Sequence, residues 1–183
     1  MSQTLLAIQQ ACTAQVHMDS PLGTMLLART AAGLAGVWFE GQQHHPGQLS
    51  AAVRPDDPLL EDATQQLRRY FNGESADFSV PLDLLGTPFQ RSVWHELLKI
   101  GIGLTQRYGD IAARIGTPSA SRAVGAAVGR NPISVIVPCH RVLGAGGALT
   151  GYAGGLKRKV ALLELEHKAW GEIRRVRPVE AIA

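Results

Sequence analysis

The sequence predicts an α+β protein in two parts: a small antiparallel sheet with a helix, then a mostly helical region that contains a helix-turn-helix. Three observations carry that prediction. Short apolar runs alternate with turn residues before position 40, helical periodicity with capping residues takes over from position 57, and the charge divides along the same line. Residues 1–87 carry 4 basic and 9 acidic residues, whereas residues 88–183 carry 14 and 6, so the net charge of +3 joins an acidic half to a basic one. The 183 residues, 45% hydrophobic and 18% charged, suffice for one domain or two small ones. We expect the division at 1–86 and 87–183.

The elements follow in order. Ala14–Met18, Thr24–Ala28 and Leu34–Phe39 read as strands of a meander, separated by the turn-like Asp19-Ser20-Pro21-Leu22-Gly23 and Thr30-Ala31-Ala32-Gly33. Gly41 to Pro58 is rich in Gln, His, Pro and Asp and reads as an exposed loop. Asp57-Pro58 opens a helix with Leu60, Ala63, Leu67 and Phe71 on one face, closed by Asn72-Gly73. Thr87-Pro88-Phe89-Gln90 has the form of a capping box, followed by Phe89, Val93, Trp94, Leu97 and Leu98 at core spacing. Tyr108-Gly109-Asp110 leads into a short helix, Ile111–Ile115. Gly116 breaks it, and Thr117-Pro118 is expected to cap a second helix through Ser119–Val128. Ile133 to Val137 reads as a β-branched strand running into Pro138-Cys139-His140.

Several classes are excluded at this level. Apolar stretches fall short of the roughly 18 residues of a membrane helix, and Met1–Leu6 carries no basic residue before its short apolar run, which argues against a secretory signal and for a cytoplasmic protein. Cys12 and Cys139 cannot build a disulfide framework and are expected to be free. Cys12, His17, His44 and His45 lack the spacing of a zinc site, so no metal is expected; nor does any motif suggest a nucleotide, flavin or other cofactor.

The basic half holds the chemistry. Lys99, Arg107, Arg114, Arg122, Arg130, Arg141, Lys157, Arg158 and Lys159 stand against one acid, Asp110, between 97 and 163, the footprint of a phosphate-binding face or simply of a basic solvated surface. In the second helix the small residues Ala120, Ala123, Gly125, Ala126 and Ala127 surround one long cation, Arg122. Such a helix either approaches a groove or packs tightly on a neighbour with Arg122 in solvent. Cys139 follows a proline, adjoins His140 and lies among cations and the glycine turn Gly144–Gly147, a setting that favours a reactive thiolate with His140 as base. A third group to orient His140 is then required.

Pro138-Cys139-His140-Arg141-Val142 resembles the acceptor-cysteine motif of the O6-alkylguanine-DNA alkyltransferases, or methylated-DNA-protein-cysteine methyltransferases. The resemblance extends through Thr87–Gln90 with Val93-Trp94, Tyr108-Gly109, Ser121–Gly125, Asn131-Pro132 and Gly151–Lys159, nearly the whole basic half. It implies a ribonuclease H-like amino-terminal domain and a monomer that binds double-stranded DNA in the minor groove and flips an alkylguanine out of the stack. One alkyl group, from O6-alkylguanine with O4-alkylthymine left open, would pass to Cys139 in a single turnover. The resemblance further implies that Glu166 orients His140, Asn131 ties the recognition helix to the thiol segment, Tyr108 assists the guanine leaving group and Lys159 lines the pocket. Arg122 would fill the space of the extruded nucleotide, with Ser121, Ala123 and Arg130 beside it on DNA. The backbone of Ala153 would meet the guanine oxygen, the carbonyls of Cys139 and Val142 its amine, and Tyr152 with Gly154 would form a wall. Some relatives carry Ser where Ala153 stands, so any hydroxyl contribution is lost here. The adjacent cations Lys157, Arg158 and Lys159 oppose the helix dipole and are expected to face phosphate or the site. Taken without the resemblance, Glu166 would be a solvent-facing acid. A damage-sensing binder without transfer, a Cys-His thiol hydrolase and a regulator with fused repair activity are the alternatives. The first is disfavoured by the presence of Cys139, and the last needs an additional module.

Overall fold

The computed structural model describes residues 3–171 and the strand Arg174–Arg175; Met1 and Ser2, part of the segment read against a secretory signal, lie outside the described residues. The meander forms as the pattern dictates. Strands β1 (Ala14–Met18), β2 (Met25–Arg29) and β3 (Leu34–Phe39) pair antiparallel in the order β3-β2-β1. A fourth strand, β4 (Ala52–Val53), joins the free edge of β1 in parallel, so the sheet is mixed rather than purely antiparallel.

All six residues of β3 and four of the five in β2 are buried, which means both sheet faces are covered. Helix α2 (Pro58–Phe71) covers the face of Met25, Leu27, Val37 and Phe39 through Leu60, Ala63, Leu67 and Tyr70. Its first turn is capped by Asp57, whose carboxylate accepts from the amides of Leu59 and Leu60 at 3.1 and 3.2 Å. Helix α1 (Gln3–Ala11), which sequence reasoning missed, covers the other face: Ile8 and Cys12 meet Leu26, Ala28, Ala35 and Trp38. The loop expected to be exposed completes that cover with buried Leu49 and Ala51. Gln15 holds it by donating to the carbonyls of Leu49 and Ala51, as Gln9 does to that of Pro46. Without this lid the alternate residues of β2 and β3 would face water.

The second half opens with α3 (Pro88–Leu98), whose capping box is formed as read: Gln90 N–H donates to the Thr87 hydroxyl and Thr87 N–H to Gln90 Oε1. Leu98 is exposed, one step off the buried stripe of Val93, Trp94 and Leu97. Strand β5 (Leu104–Arg107) runs into α4 (Tyr108–Arg114), and α5 (Ser121–Gly129) completes the helix-turn-helix. The expected Thr117-Pro118 cap does not form. The Thr117 hydroxyl turns back to the Ala112 carbonyl, residues 117–120 make a turn, and α5 starts at Ser121 without a side-chain cap. Trp94 Nε1–H donates to the Ala127 carbonyl at 2.9 Å and locks α3 to α5. Strands β6 (Val142–Leu143) and β7 (Arg174–Arg175) flank β5 in parallel, and α6 (Leu156–Trp170) closes the domain. One continuous apolar core runs through both halves, from Leu27 and Leu60 to Trp94, Val128 and Cys139.

Candidate functional site

The segment from Ile133 to Val137, expected as a strand, is instead a buried chain of turns with one bridge, Val37 to Ile133, against β3. Its backbone groups are taken locally, so no ladder is needed. Val137 N–H bonds the Ile133 carbonyl, Ile136 N–H the Ser134 carbonyl, and Val135 sits at φ 73°, a left-handed conformation costly for a β-branched residue. Asn131 organises the turns. Its Oδ1 accepts from Ile133 N–H at 2.9 Å, and its Nδ2 donates to the carbonyls of Val137 and Ile133 and, at 3.1 Å, to Cys139 Sγ. The thiol therefore begins a tight 3-10 turn, Cys139–Arg141, rather than ending a strand.

Cys139 is 3% exposed. Burial pushes its thiol pKa up, while the Asn131 donor, the Lys159 charge and nearby backbone amides pull it down. Lys159, fully buried on the first turn of α6, donates from Nζ to the carbonyls of Val142 and Thr150. Burial lowers its pKa to about 8, with the Cys139 thiolate acting in the opposite sense. The Val142 carbonyl expected to receive the guanine amine thus already accepts from Lys159. The Tyr108 hydroxyl donates to the carbonyls of Thr150 and Gly151 at 3.2 and 3.3 Å, so Tyr108 and Lys159 grip the same loop from two sides.

Behind the thiol, His140 Nε2 lies 2.7 Å from Glu166 Oε1, both groups fully buried. Burial opposes the carboxylate, but the hydrogen bonds that His140 and Arg141 donate, with the positive charge of Arg141, prevail and hold Glu166 at about 2. Since Glu166 is an anion that can only accept, Nε2 carries the imidazole proton and Nδ1 keeps its lone pair. Nδ1 is buried and meets no protein donor. Burial keeps the imidazole neutral, lowering its pKa against the pull of Glu166. Two further groups complete the carboxylate's shell: Arg141, with Nε 3.0 Å from Oε2 and Nη2 2.9 Å from Oε1, and the Tyr70 hydroxyl from α2, 2.8 Å from Oε1. The sequence offers Arg141 as one of the basic residues and as part of the Pro-Cys-His-Arg-Val run, without a role of its own; Tyr70 carries no signal, because a core aromatic on an amphipathic helix is what the pattern expects.

The remaining candidates line the approach. A cleft of about 580 Å³ between the helix-turn-helix and the glycine turn is bounded by Arg107, Tyr108, Ser121, Arg122, Gly125 and Ala145. Arg122 and Ala123 are exposed on α5, and Arg130, exposed at its C-cap, donates to the Ala126 carbonyl. None of the three touches the thiol. Tyr152 and Gly154 are not among the residues bounding this cleft; both are buried, and a Cβ on Gly154 would come within 2.6 Å of the Tyr152 ring. Gln43 N–H donates to the Ala153 carbonyl. Arg158 does not face phosphate or the site. It reaches the carbonyls of Leu22, Gly154 and Glu40 and stacks over Phe39, pinning Gly154 to the amino-terminal half; only Lys159 turns inward, and Lys157 is exposed. Both cysteines are free, and among the described residues no three His, Cys, Asp or Glu side chains gather as metal ligands.

A helix-turn-helix edge beside a buried thiol, backed by a histidine that a carboxylate orients, defines a DNA-directed protein whose chemistry runs through cysteine. Comparison with known proteins gives that class its family. Residues 16–84 match the ribonuclease-like domain, and residues 88–168 the DNA binding domain, of 6-O-methylguanine DNA methyltransferase. The methylated-DNA–protein-cysteine methyltransferases of Mycobacterium tuberculosis and Mycobacterium leprae are 50% and 48% identical over 149 residues, 81% of this chain and 89% of each of theirs. A crystal structure of M. tuberculosis OGT in complex with DNA superposes with a TM-score of 0.79 at 47% identity, covering 86% of this chain and 94% of that one. The chain belongs to the methylated-DNA–protein-cysteine methyltransferase family. It repairs DNA by transferring an alkyl group to a cysteine.

Proposed function

We propose that Cys139 is the acceptor, that His140 and Glu166 activate it, and that the lesion is an O6-alkylguanine flipped from the minor groove of duplex DNA. The single observation that carries this reading is one buried cluster, in which Asn131 donates to Cys139 Sγ, Glu166 holds the adjacent His140, and Lys159 grips the Val142 carbonyl at the end of the thiol turn. The Cys139 proton passes to His140 Nδ1 through a water, leaving a thiolate beside the Asn131 amide and the Lys159 ammonium. Sγ attacks the alkyl carbon in line, the carbon–oxygen bond breaks, and its electron pair goes to guanine, which Tyr108 meets as a proton or hydrogen-bond donor. The carbonyl of Cys139 takes the guanine amine, with Val142 as a second acceptor where Lys159 leaves a lone pair free. The thioether is stable, so each molecule acts once.

Arg122 fills the place of the extruded nucleotide, while Ser121, Ala123 and Arg130 run along the backbone. Tyr152, the amide of Ala153 and Gly154 form the far wall of the base pocket. The protein works as a cytoplasmic monomer, with residues 1–86 as scaffold and 87–183 as the DNA-binding and acceptor domain. Among the described residues no helix is long and apolar enough to cross a membrane.

The test is an intact-mass spectrum with peptide mapping after mixing with a duplex that contains one O6-methylguanine. A single added methylene on Cys139, saturating at one per protein, is expected. Bound lesion with unmodified Cys139 would overturn the acceptor assignment.

A further inference from the structure

We propose that Tyr70, contributed by α2 of the amino-terminal half, is a positioning residue of the acceptor site: its phenol is the third donor side chain on Glu166 Oε1 and tempers the pull of that oxygen on the His140 proton. The inference rests on the Cys139–His140–Glu166 relay proposed above. The three donors converge at similar lengths, Tyr70 at 2.8 Å, His140 Nε2 at 2.7 Å and Arg141 Nη2 at 2.9 Å. Tyr70 is held for this task. It is fully buried, its ring stacks on Trp170 with centroids 5.8 Å apart, and Phe71 and Phe78 close its sides.

Each donor that a carboxylate oxygen accepts lowers its basicity, and so weakens its hold on the other donors. Burial and the neighbouring carboxylate keep the phenol protonated, which makes Tyr70 a permanent donor. The charge on His140 is opposed first by burial and then by Arg141 and Lys159, and is favoured by Glu166, with Cys139 adjacent in the chain. Removing the Tyr70 hydroxyl leaves Oε1 with His140 and Arg141 as its donors. The carboxylate then favours the imidazolium more strongly, and His140 holds a proton to higher pH. Less of the neutral base would be present on the acid limb of the pH profile, and transfer would slow there.

The experiment is the rate of methyl transfer from a duplex with one O6-methylguanine, protein in excess, between pH 5 and 9. Tyr70→Phe is expected to move the acid limb up by roughly half to one pH unit, a loss of about 3- to 10-fold on that limb, below its midpoint, that recovers at higher pH. Site-specific 3-fluorotyrosine at position 70, a stronger donor of nearly the same shape, moves the limb down and decides the question even where the Phe protein folds poorly. Profiles that superimpose on the parent, or a Phe variant slowed equally at every pH, would overturn the proposal. Glu166→Gln separates the two readings. A limb unmoved by it sinks the relay itself, whereas a limb moved by Glu166→Gln and not by the Tyr70 changes sinks only the role of Tyr70.

Discussion

Asn131 satisfies one backbone amide and donates to two carbonyls and a sulfur from a single side chain, which is why a segment rich in β-branched residues folds as turns. Sequence reasoning singles out Asn131, Cys139, His140, Lys159 and Glu166 as candidates because a contiguous motif and a family resemblance carry them, and all five are buried in the fold. It did not find Tyr70 because a hydroxyl on a core ring looks the same whether or not its partner is a carboxylate 96 positions away. Arg122 is a different case, exposed among the short side chains Ser121, Ala123 and Ala126 and resting on nothing that would define it without DNA. Removing it should leave the thiol untouched. Arg122→Ala is expected to slow repair of duplex by about 10- to 100-fold, the range of one good contact to nucleic acid, while leaving reaction with free O6-methylguanine base within about twofold. Equal losses on both substrates, measured as second-order rate constants, would remove Arg122 from the extrusion step.

Among the elements, those with local signals form where the sequence puts them. The Asp57 cap starts α2, the Thr87–Gln90 box starts α3, and β1 and β3 have the bounds read from turn residues. The misjudged elements depend on distant partners. The loop after Gly41 is polar in composition yet buried where Leu49 and Ala51 cover the sheet, and α1 gains its place by roofing the same face. The Thr117-Pro118 pair has capping composition, but the Ala112 carbonyl captures the hydroxyl first. Where the cap does form, its worth can be measured. The Thr87 side chain is exposed and its role is the cap, so Thr87→Ala should cost about 1 kcal/mol, read as a lower urea midpoint with unchanged slope. A change in slope would mean that α1 had also loosened, since the Thr4 hydroxyl donates to the same Gln90 Oε1.

For the molecule as a whole, the buried charges of the site set the acid limit of stability. Glu166 ionises at about 2 when folded against an ordinary 4.5, so it contributes stability that is complete above pH 4.5 and lost as pH falls towards 2. That shift corresponds to about 3 kcal/mol. His140, neutral when buried, acts in the same direction from a higher starting point: the unfolded chain takes up its proton as pH falls through 6.5, which favours unfolding. Urea midpoints should therefore decline gently below pH 6.5 and steeply below 4.5, with Glu166→Gln flattening the lower part. A flat profile from 7.5 to 3 would show that these groups do not govern acid unfolding. The contact between Tyr70 and Glu166 also has a meaning in time. A ribosome has made the whole amino-terminal sheet and α2 long before it reaches position 166, and the carboxylate must then travel back to Tyr70, 96 residues earlier. Between the synthesis of Cys139 and that of Glu166 the chain holds the thiol without the carboxylate proposed to stand behind its histidine. The proposed relay is therefore complete only once α6 has been made and Glu166 has reached Tyr70.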